Sequence, residues 1–261
     1  VAAAKALALV LKVPLVGVHH LEAHIYANLL VKPDLQFPLL CLIVSGGHSD
    51  LALMRGHGQY EMLGRTRDDA AGEAFDKIAR ALGLGYPGGP IVDRIARQGN
   101  PAAYPFPRAN LGETLDFSYS GLKTALLTFL RQRGVAPVSR SSKGVPQSPS
   151  ARDVLTDQEV ADVAASFQEA IVDPLVTNAG RAVLQTGATR VLLCGGVAAN
   201  SRLRAKMQEA GARLGFEVHY PPILLCTDNA AMSACAGYYR LVRGEQDGLD
   251  LETFAAAPLG S

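Results

Sequence analysis

Apolar residues along this chain fall into two arrangements, short unbroken runs and longer stretches at helical spacing, and their alternation predicts an α/β protein. Residues 37–44 form an unbroken run that ends at Ser45-Gly46-Gly47, the mark of a strand buried on both faces. Residues 49–54 return after the Gly-Gly pair, so the two read as a β-hairpin. Residues 190–194 form a second such run and again end in Gly-Gly, and residues 13–18 read as a further short apolar strand. Helical spacing predicts helices over residues 1–11, 19–30, 70–82, 90–98, 120–133, 157–186 and 201–214. A last helix follows Thr227-Asp228, either of which can cap it. No repeat of fixed period is present, yet the strand-then-Gly-Gly unit occurs twice, which predicts two α/β lobes facing one cleft.

Composition narrows the function classes. A chain of 261 residues, 48% hydrophobic, can bury a large core. Its 25 basic and 24 acidic residues leave a net charge of +1, so any nucleic-acid contact must use a local patch or a partner rather than a generally basic surface. Cys41, Cys194, Cys226 and Cys235 lie far apart with no CxxC pair, which predicts reduced core thiols and a cytoplasmic setting. The apolar runs are too short to span a bilayer, so no membrane is expected. Residues 139–150, rich in Ser, Pro and charge, read as a linker or insertion. The chain opens directly into an Ala-rich helical stretch, and the expectation is an N-terminally incomplete protein.

Five segments carry candidate chemistry. In His19-His20-Leu21-Glu22-Ala23-His24, His20 and His24 sit one helical turn apart and differ by about 40° around the axis, so both imidazoles can face one divalent metal. Metalloproteases also place two histidines at i and i+4, but their glutamate follows the first histidine directly. Glu22 lies about 200° from His20 and is a poor base for a metal-bound water. Leu42 to Ser49 delivers a buried strand into two glycines, where backbone N–H groups can approach phosphate oxygens and Ser45 or Ser49 can add a hydroxyl; a tight hairpin turn explains the same residues. Val191 to Asn200 places Gly195-Gly196 before a helix start, and Asn200 can hydrogen-bond a ribose or base. The G-x-G-x-x-G spacing of dehydrogenases is missing. Asp69, Glu73 and Asp76 are spaced to share one helix face, where like charges call for a cation, donors or a polyol nearby, and the Gly88-Gly89 turn that follows points to Asp76 as a ligand contact. Asp228, otherwise an N-cap, could complete a 2-His-1-carboxylate set with His20 and His24, suited to Fe(II) or Zn(II).

These segments resemble one family. HHLEAH, VSGGHSDL, DDAAGEAFDK with YPGGP, FSYSGLKTAL, LCGGVAANSRLR and CTDNAAM occur in the order found in the TsaD family, over roughly residues 19–239. The resemblance implies an actin-like, Hsp70-like ATPase fold with two lobes around a nucleotide cleft. The first lobe would be residues 1–110, lacking its N-terminal part, and the second 111–261. It also implies transfer of threonylcarbamoyl from threonylcarbamoyl-AMP to the N6 amine of the adenosine beside the anticodon in tRNAs reading ANN codons. Carried over, His20, His24 and Asp228 look like ligands of one divalent metal, Fe(II) with Zn(II) as the alternative. Ile43, Val44, Ser45, Gly46, Gly47, Asp76, Gly89, Asp93 and Asn200 look like contacts to ATP, ADP or threonylcarbamoyl-AMP, Asp93 to a ribose hydroxyl. No catalytic nucleophile is implied. The implied partners are tRNA, a TsaB-like paralogue, a TsaE-like ATPase and a separate synthase that supplies the adenylate.

Two departures bear on this. Some relatives supply a tyrosine ligand where this chain has Ile43, and the family's opening strand with its E-T-S-C-D-like phosphate loop is absent from these residues. The readings set against the transferase are a metallopeptidase, which rests on the histidine pair, and a non-catalytic nucleotide-binding subunit, which lacks it. Arg65, Arg67, Lys77, Arg108 and Lys123 lie near the site segments and are candidates for tRNA phosphates, though interspersed cations are ordinary solvated surface.

Overall fold

The computed structural model describes residues 1–109, 111–135, 149–254, 257 and 259. In chain order the elements are α1 (Ala2–Leu11), α2 (His20–Val31), β1 (Leu39–Val44), β2 (Ser49–Gly56), β3 (Gln59–Gly64), α3 (Ala71–Ala81), α4 (Gly88–Ala96) and α5 (Ser120–Gln132). There follow α6 (Ala151–Val154), α7 (Asp157–Thr186), β4 (Arg190–Cys194), a 3-10 turn (Gly196–Ala199), α8 (Ser201–Leu214), β5 (Glu217–His219), α9 (Ile223–Cys226) and α10 (Ala230–Val242). The predicted linker at residues 139–150 lies outside the described residues except for Pro149 and Ser150. Among the described residues no helix is long and apolar enough to cross a membrane.

Five strands form one sheet in the order β3-β2-β1-β4-β5. β1 pairs antiparallel with β2 and parallel with β4, which in turn pairs parallel with β5. Side chains alternate strictly across the sheet. Leu40, Leu42 and Val44 of β1 and Val191 and Leu193 of β4 enter a core with α3, α4, α5, α7 and α8. Leu39, Cys41 and Ile43, with Leu192 and Cys194, enter a second core with α2 and α10. Burial on both faces explains why these strands are continuous apolar runs. It also accounts for the cysteines: all four are free, and Cys41, Cys194 and Cys226 are buried, as expected.

The two strand-Gly-Gly units were expected in facing lobes. Instead β1 and β4 are neighbours in one sheet, with Ile43 opposite Cys194, so their glycine turns leave the same edge side by side. Strands from both sides of the expected boundary at 110/111 therefore share this sheet.

The hairpin forms as predicted, closed by Ser45 N–H donating to His48 O at 2.9 Å. The predicted strand at residues 13–18 does not form; it has one isolated bridge, Leu15 to Asp247, because no second strand among the described residues runs beside it. Strands β3 and β5 carry no unbroken apolar run: β3 is a half-exposed edge strand and β5 has three residues. α4 begins two residues earlier than predicted because the Asp76 carboxylate accepts the Gly88 N–H at 2.7 Å and fixes the first turn. The long α7 starts in a capping box of Thr156 and Glu159 and ends at Gly187 in the left-handed region, both legible in sequence.

α7 and α8 are joined by ions as well as by apolar packing. Glu169 accepts two hydrogen bonds from Arg202 at 2.8 Å each, and Lys206 joins Glu169 to Asp173. The Arg202 hydrogen bonds outweigh partial burial, and with Lys206 they hold the Glu169 carboxyl down at about 2. A depressed folded value stabilises fully above the unfolded carboxylate's range and is lost as pH falls through the folded value. Glu169→Gln is expected to flatten the acid limb of the stability profile between pH 4.5 and 2, read from urea midpoints at stepped pH.

Gly72, in the first turn of α3, packs on the hairpin turn: a Cβ there would lie 2.4 Å from Ser45 O and 2.8 Å from Gly46 Cα. Alanine is the better helix former, yet Gly72→Ala should destabilise by about 1–3 kcal/mol because backbone must move to admit the methyl. Equilibrium urea unfolding measures it, and a gain in stability would show that the approach is looser than this.

A candidate metal and nucleotide site

α2 presents both candidate histidines. It is buried on nearly all sides between the sheet and α10, so Glu22, His24 and Asn28 are buried among its apolar residues. His24 is 2% exposed and His20 55% exposed. Their rings meet edge to face with centroids 4.7 Å apart. Asp228, 76% exposed, brings one carboxylate oxygen to 3.2 Å from His24 Nε2 and 3.5 Å from His20 Nε2. One ligand atom from each of the three lies within 4.8 Å of the others.

Asp228 was expected to double as a helix cap. It does not, because Asn229 is the N-cap of α10, its Oδ1 accepting the Met232 N–H at 2.8 Å. The Asn229 amide also donates to Thr227 O at 2.9 Å, which fixes the peptide on the other side of Asp228. The carboxylate of Asp228 is thus left to the histidines.

The donor set fits a divalent metal. Burial, and then the neighbouring His20, hold the His24 imidazole below its ordinary value, so a neutral ring with a nitrogen lone pair is the form present at neutral pH. Two imidazoles and a carboxylate suit Fe(II) or Zn(II) with positions left for substrate. Ile43 is wholly buried in the core on the α2 side of the sheet and offers no ligand atom.

Glu22 is turned to other work. It is buried and accepts the Tyr60 hydroxyl at 2.8 Å, tying α2 to β3. Burial and the nearby Glu22 push the Tyr60 hydroxyl well above its ordinary range, so it stays a donor.

The predicted nucleotide contacts divide into two kinds. At Gly46, Gly47 and Gly89 an added Cβ would meet nothing within 4 Å, so these turns are open to an approaching group. Gly195 has φ +88 and would put a Cβ 2.5 Å from Val44 O, so a side chain is excluded where the second turn crosses the first strand. Ile43 and Val44 contribute backbone alone, being buried strand residues. The polar candidates are held by the protein itself. Asp76 takes the Gly88 N–H. Asp93 accepts Ser201 N–H at 3.1 Å and Ser201 Oγ at 2.7 Å, and pairs with Arg97. Asn200 caps α8, accepting the Leu203 N–H at 2.9 Å, while its amide donates to Gln168.

The acidic face resolves without a ligand. Lys77 bridges Asp69 at 2.5 Å and Glu73 at 2.8 Å, and α3 starts only at Ala71, so Asp69 lies outside the helix. Of the candidate basic patch, Arg67 pairs with Asp116 and Arg108 with Asp173, which leaves Arg65 and Lys123 with no ion pair among the described residues. Asp68, which the sequence did not single out, gathers Ser118, Tyr119 N–H and both donors of Ser120, and so fixes the start of α5. Burial raises its carboxyl, and these bonds together bring it below the ordinary value. The FSYSG segment was the available signal, since a Ser-x-Ser before a helix needs a hydrogen-bonding partner. A cavity of about 450 Å³ lies between residues 108–118 and α7; Arg108 lines it, but none of the predicted metal or nucleotide contacts does.

The sequence profile of the family described as "TsaD: tRNA N6-adenosine threonylcarbamoyltransferase" matches residues 1–235. A protein of Symbiobacterium thermophilum named tRNA N6-adenosine threonylcarbamoyltransferase is 52% identical over 99% of this chain and 70% of its own length. One of the same name from Thermomicrobium roseum is 53% identical over 98% of this chain and 71% of its own length. Among solved structures, that of "T.kodakarensis HypF" superposes with TM-score 0.63 at 15% identity over 93% of this chain and 39% of its own. Full-length HypF in a phosphate- and nucleotide-bound form gives 0.59 at 14% identity, over 87% and 36%. At that identity the likeness shows the fold alone, and it bears out the actin-like α/β class.

Removing the cap that frees Asp228 should be felt at the metal site. Asn229→Ala is expected to cost about 1 kcal/mol in urea unfolding and to weaken metal binding, whereas Asn229→Ser, which can still cap, should retain most of both. Equal metal affinity in all three proteins would detach the cap from the site.

Proposed function

This chain belongs to the tRNA N6-adenosine threonylcarbamoyltransferase family, and we propose that it moves the threonylcarbamoyl group of threonylcarbamoyl-AMP to the N6 amine of the adenosine 3′ of the anticodon in tRNAs reading ANN codons. The observation that carries the reading is the convergence of His20, His24 and Asp228 in a chain of this family. In the reaction the adenosine amine attacks the carbamoyl carbonyl, a C–N bond forms, the bond to the phosphate oxygen breaks, AMP leaves and the amine loses a proton.

The donor is an activated mixed anhydride, so orientation and stabilisation of the developing oxyanion matter more than a nucleophile. A bound divalent cation, Fe(II) or alternatively Zn(II), would supply Lewis-acid polarisation of an oxygen. His20, His24 and Asp228 would hold it. The amides of Gly46, Gly47 and Gly89 would meet the nucleotide at turns that have room for it, and Ser45, whose own amide closes the hairpin, would offer its hydroxyl. Asp76, Asp93 and Asn200 would act by holding the first turns of α4 and α8. Ile43 and Val44 would fix the strand end.

The proposed partners are tRNA in the cytoplasm, a TsaB-like paralogue, a TsaE-like ATPase and the synthase of the adenylate. A peptidase would need a base on the metal-bound water, and Glu22 is buried against Tyr60. A non-catalytic subunit gives no reason for two histidines and a carboxylate to converge.

The test is metal content by mass spectrometry and threonylcarbamoyl transfer to unmodified tRNA, with partner proteins present. His20→Ala/His24→Ala is expected to lose both. A variant that kept its metal and its transfer activity would make the histidine pair structural.

A further inference from the structure

Among the described residues, two buried side-chain polar atoms have no hydrogen-bond partner: Nδ1 of His24 and Oδ1 of Asn28. They belong to the same helix, one turn apart, and both residues are almost wholly buried, at 2% and 3% exposed. Positions i and i+4 of a helix differ by about 40° around the axis and have Cβ atoms about 5–6 Å apart, a span that one water molecule bridges. Buried polar atoms in folded proteins are nearly always paired, and two orphans on neighbouring turns point to a shared partner.

The orientation of the Asn28 amide is set by its other end. Nδ2 donates to Leu193 O at 3.1 Å and approaches Cys194 Sγ at 3.5 Å. Turning the amide over would set oxygen against the Leu193 carbonyl oxygen, so the acceptor must be the atom left on the unpartnered side. The ring of His24 is oriented likewise, with Nε2 toward Asp228.

We infer that Asn28 is a positioning residue for the metal: through one buried water its Oδ1 takes the hydrogen of His24 Nδ1–H, leaving Nε2 bare toward His20 and Asp228. The inference rests on the metal reading above. A neutral imidazole carries its proton on one nitrogen or the other, and only the Nδ1–H form can give the Nε2 lone pair to a cation. A water with partners at both ends satisfies each orphaned atom and selects that form. Asn28 also fastens α2 to the end of β4, directly before Gly195-Gly196, so the ligand ring and the second glycine turn share one anchor.

The experiment is a high-resolution crystal structure of the Zn(II)-loaded protein, together with Co(II) titrations of the wild type, Asn28→Ala and Asn28→Asp followed by visible absorption. A water within hydrogen-bonding distance of both atoms is expected. Asn28→Ala should bind Co(II) about 10–100-fold more weakly. Asn28→Asp keeps an acceptor while losing the amide donor, and should stay within a few-fold of wild type even if less stable to urea. A dry gap, an unchanged Asn28→Ala, or equal weakening of both variants overturns the proposal, the last by assigning the effect to the tie to Leu193. If Asn28→Ala does not fold, the water in the wild-type structure decides. Undiminished Co(II) binding by His20→Ala/His24→Ala would instead sink the metal reading, which separates the two failures.

Discussion

Parallel pairing of β1 with β4, each buried on both faces, is the constraint from which the site follows. Parallel neighbours end at the same edge, so two glycine turns far apart in sequence leave the sheet together. Each turn is then held by what packs over it. Gly72 brings the start of α3 onto Ser45, and Gly195 lets the second turn cross the Val44 carbonyl without a side chain between them. Open backbone amides at such an edge are what a phosphate or a polar nucleotide edge requires.

The same sheet explains why α2 can carry polar chemistry in a buried setting. A helix enclosed by the sheet and α10 must satisfy every polar side chain from within. Glu22 does so through Tyr60 and Asn28 through Leu193, which fixes both the rotation and the height of the helix against β3 and β4. His24 turns its Nε2 toward Asp228, while its Nδ1, like Asn28 Oδ1, has no hydrogen-bond partner among the described residues. Burial keeps it neutral and therefore able to ligate. The anchoring of α2 and the readiness of His24 are thus two results of one packing arrangement.

Much of this was legible in sequence for a simple physical reason. β1, β4, α7 and α8 carry their own signals: doubly buried strands are unbroken apolar runs, and capped helices announce their ends, so β4, α7 and α8 fall within the predicted bounds. The i, i+4 histidines were readable because helical geometry alone brings them together. Strands β3 and β5 were not, because an exposed edge strand and a three-residue strand are defined by a neighbour rather than by their own pattern. The sharing of one sheet by both glycine turns was hidden for the same reason: strand order is a long-range fact. Apolar character without a partner misled in the opposite direction at residues 13–18.

The polar residues teach the sharper distinction. Asn200, Asn229 and Asp228 are short carboxylates or amides at a helix start, and Asp93 reaches one from within α4, so the residue type alone gives each the same two roles, cap or ligand. What separates them is which backbone N–H groups are within reach. Asn200 and Asn229 satisfy the first turns of α8 and α10, and Asp93 adds Ser201 to the former, so three of the four are committed to the fold. Because Asn229 already serves α10, Asp228 one residue earlier has no helix amide to satisfy, and its carboxylate stands exposed against two imidazoles. A group that the fold does not need, held in place by neighbours that the fold does need, is the arrangement expected of a ligand and not of a structural residue.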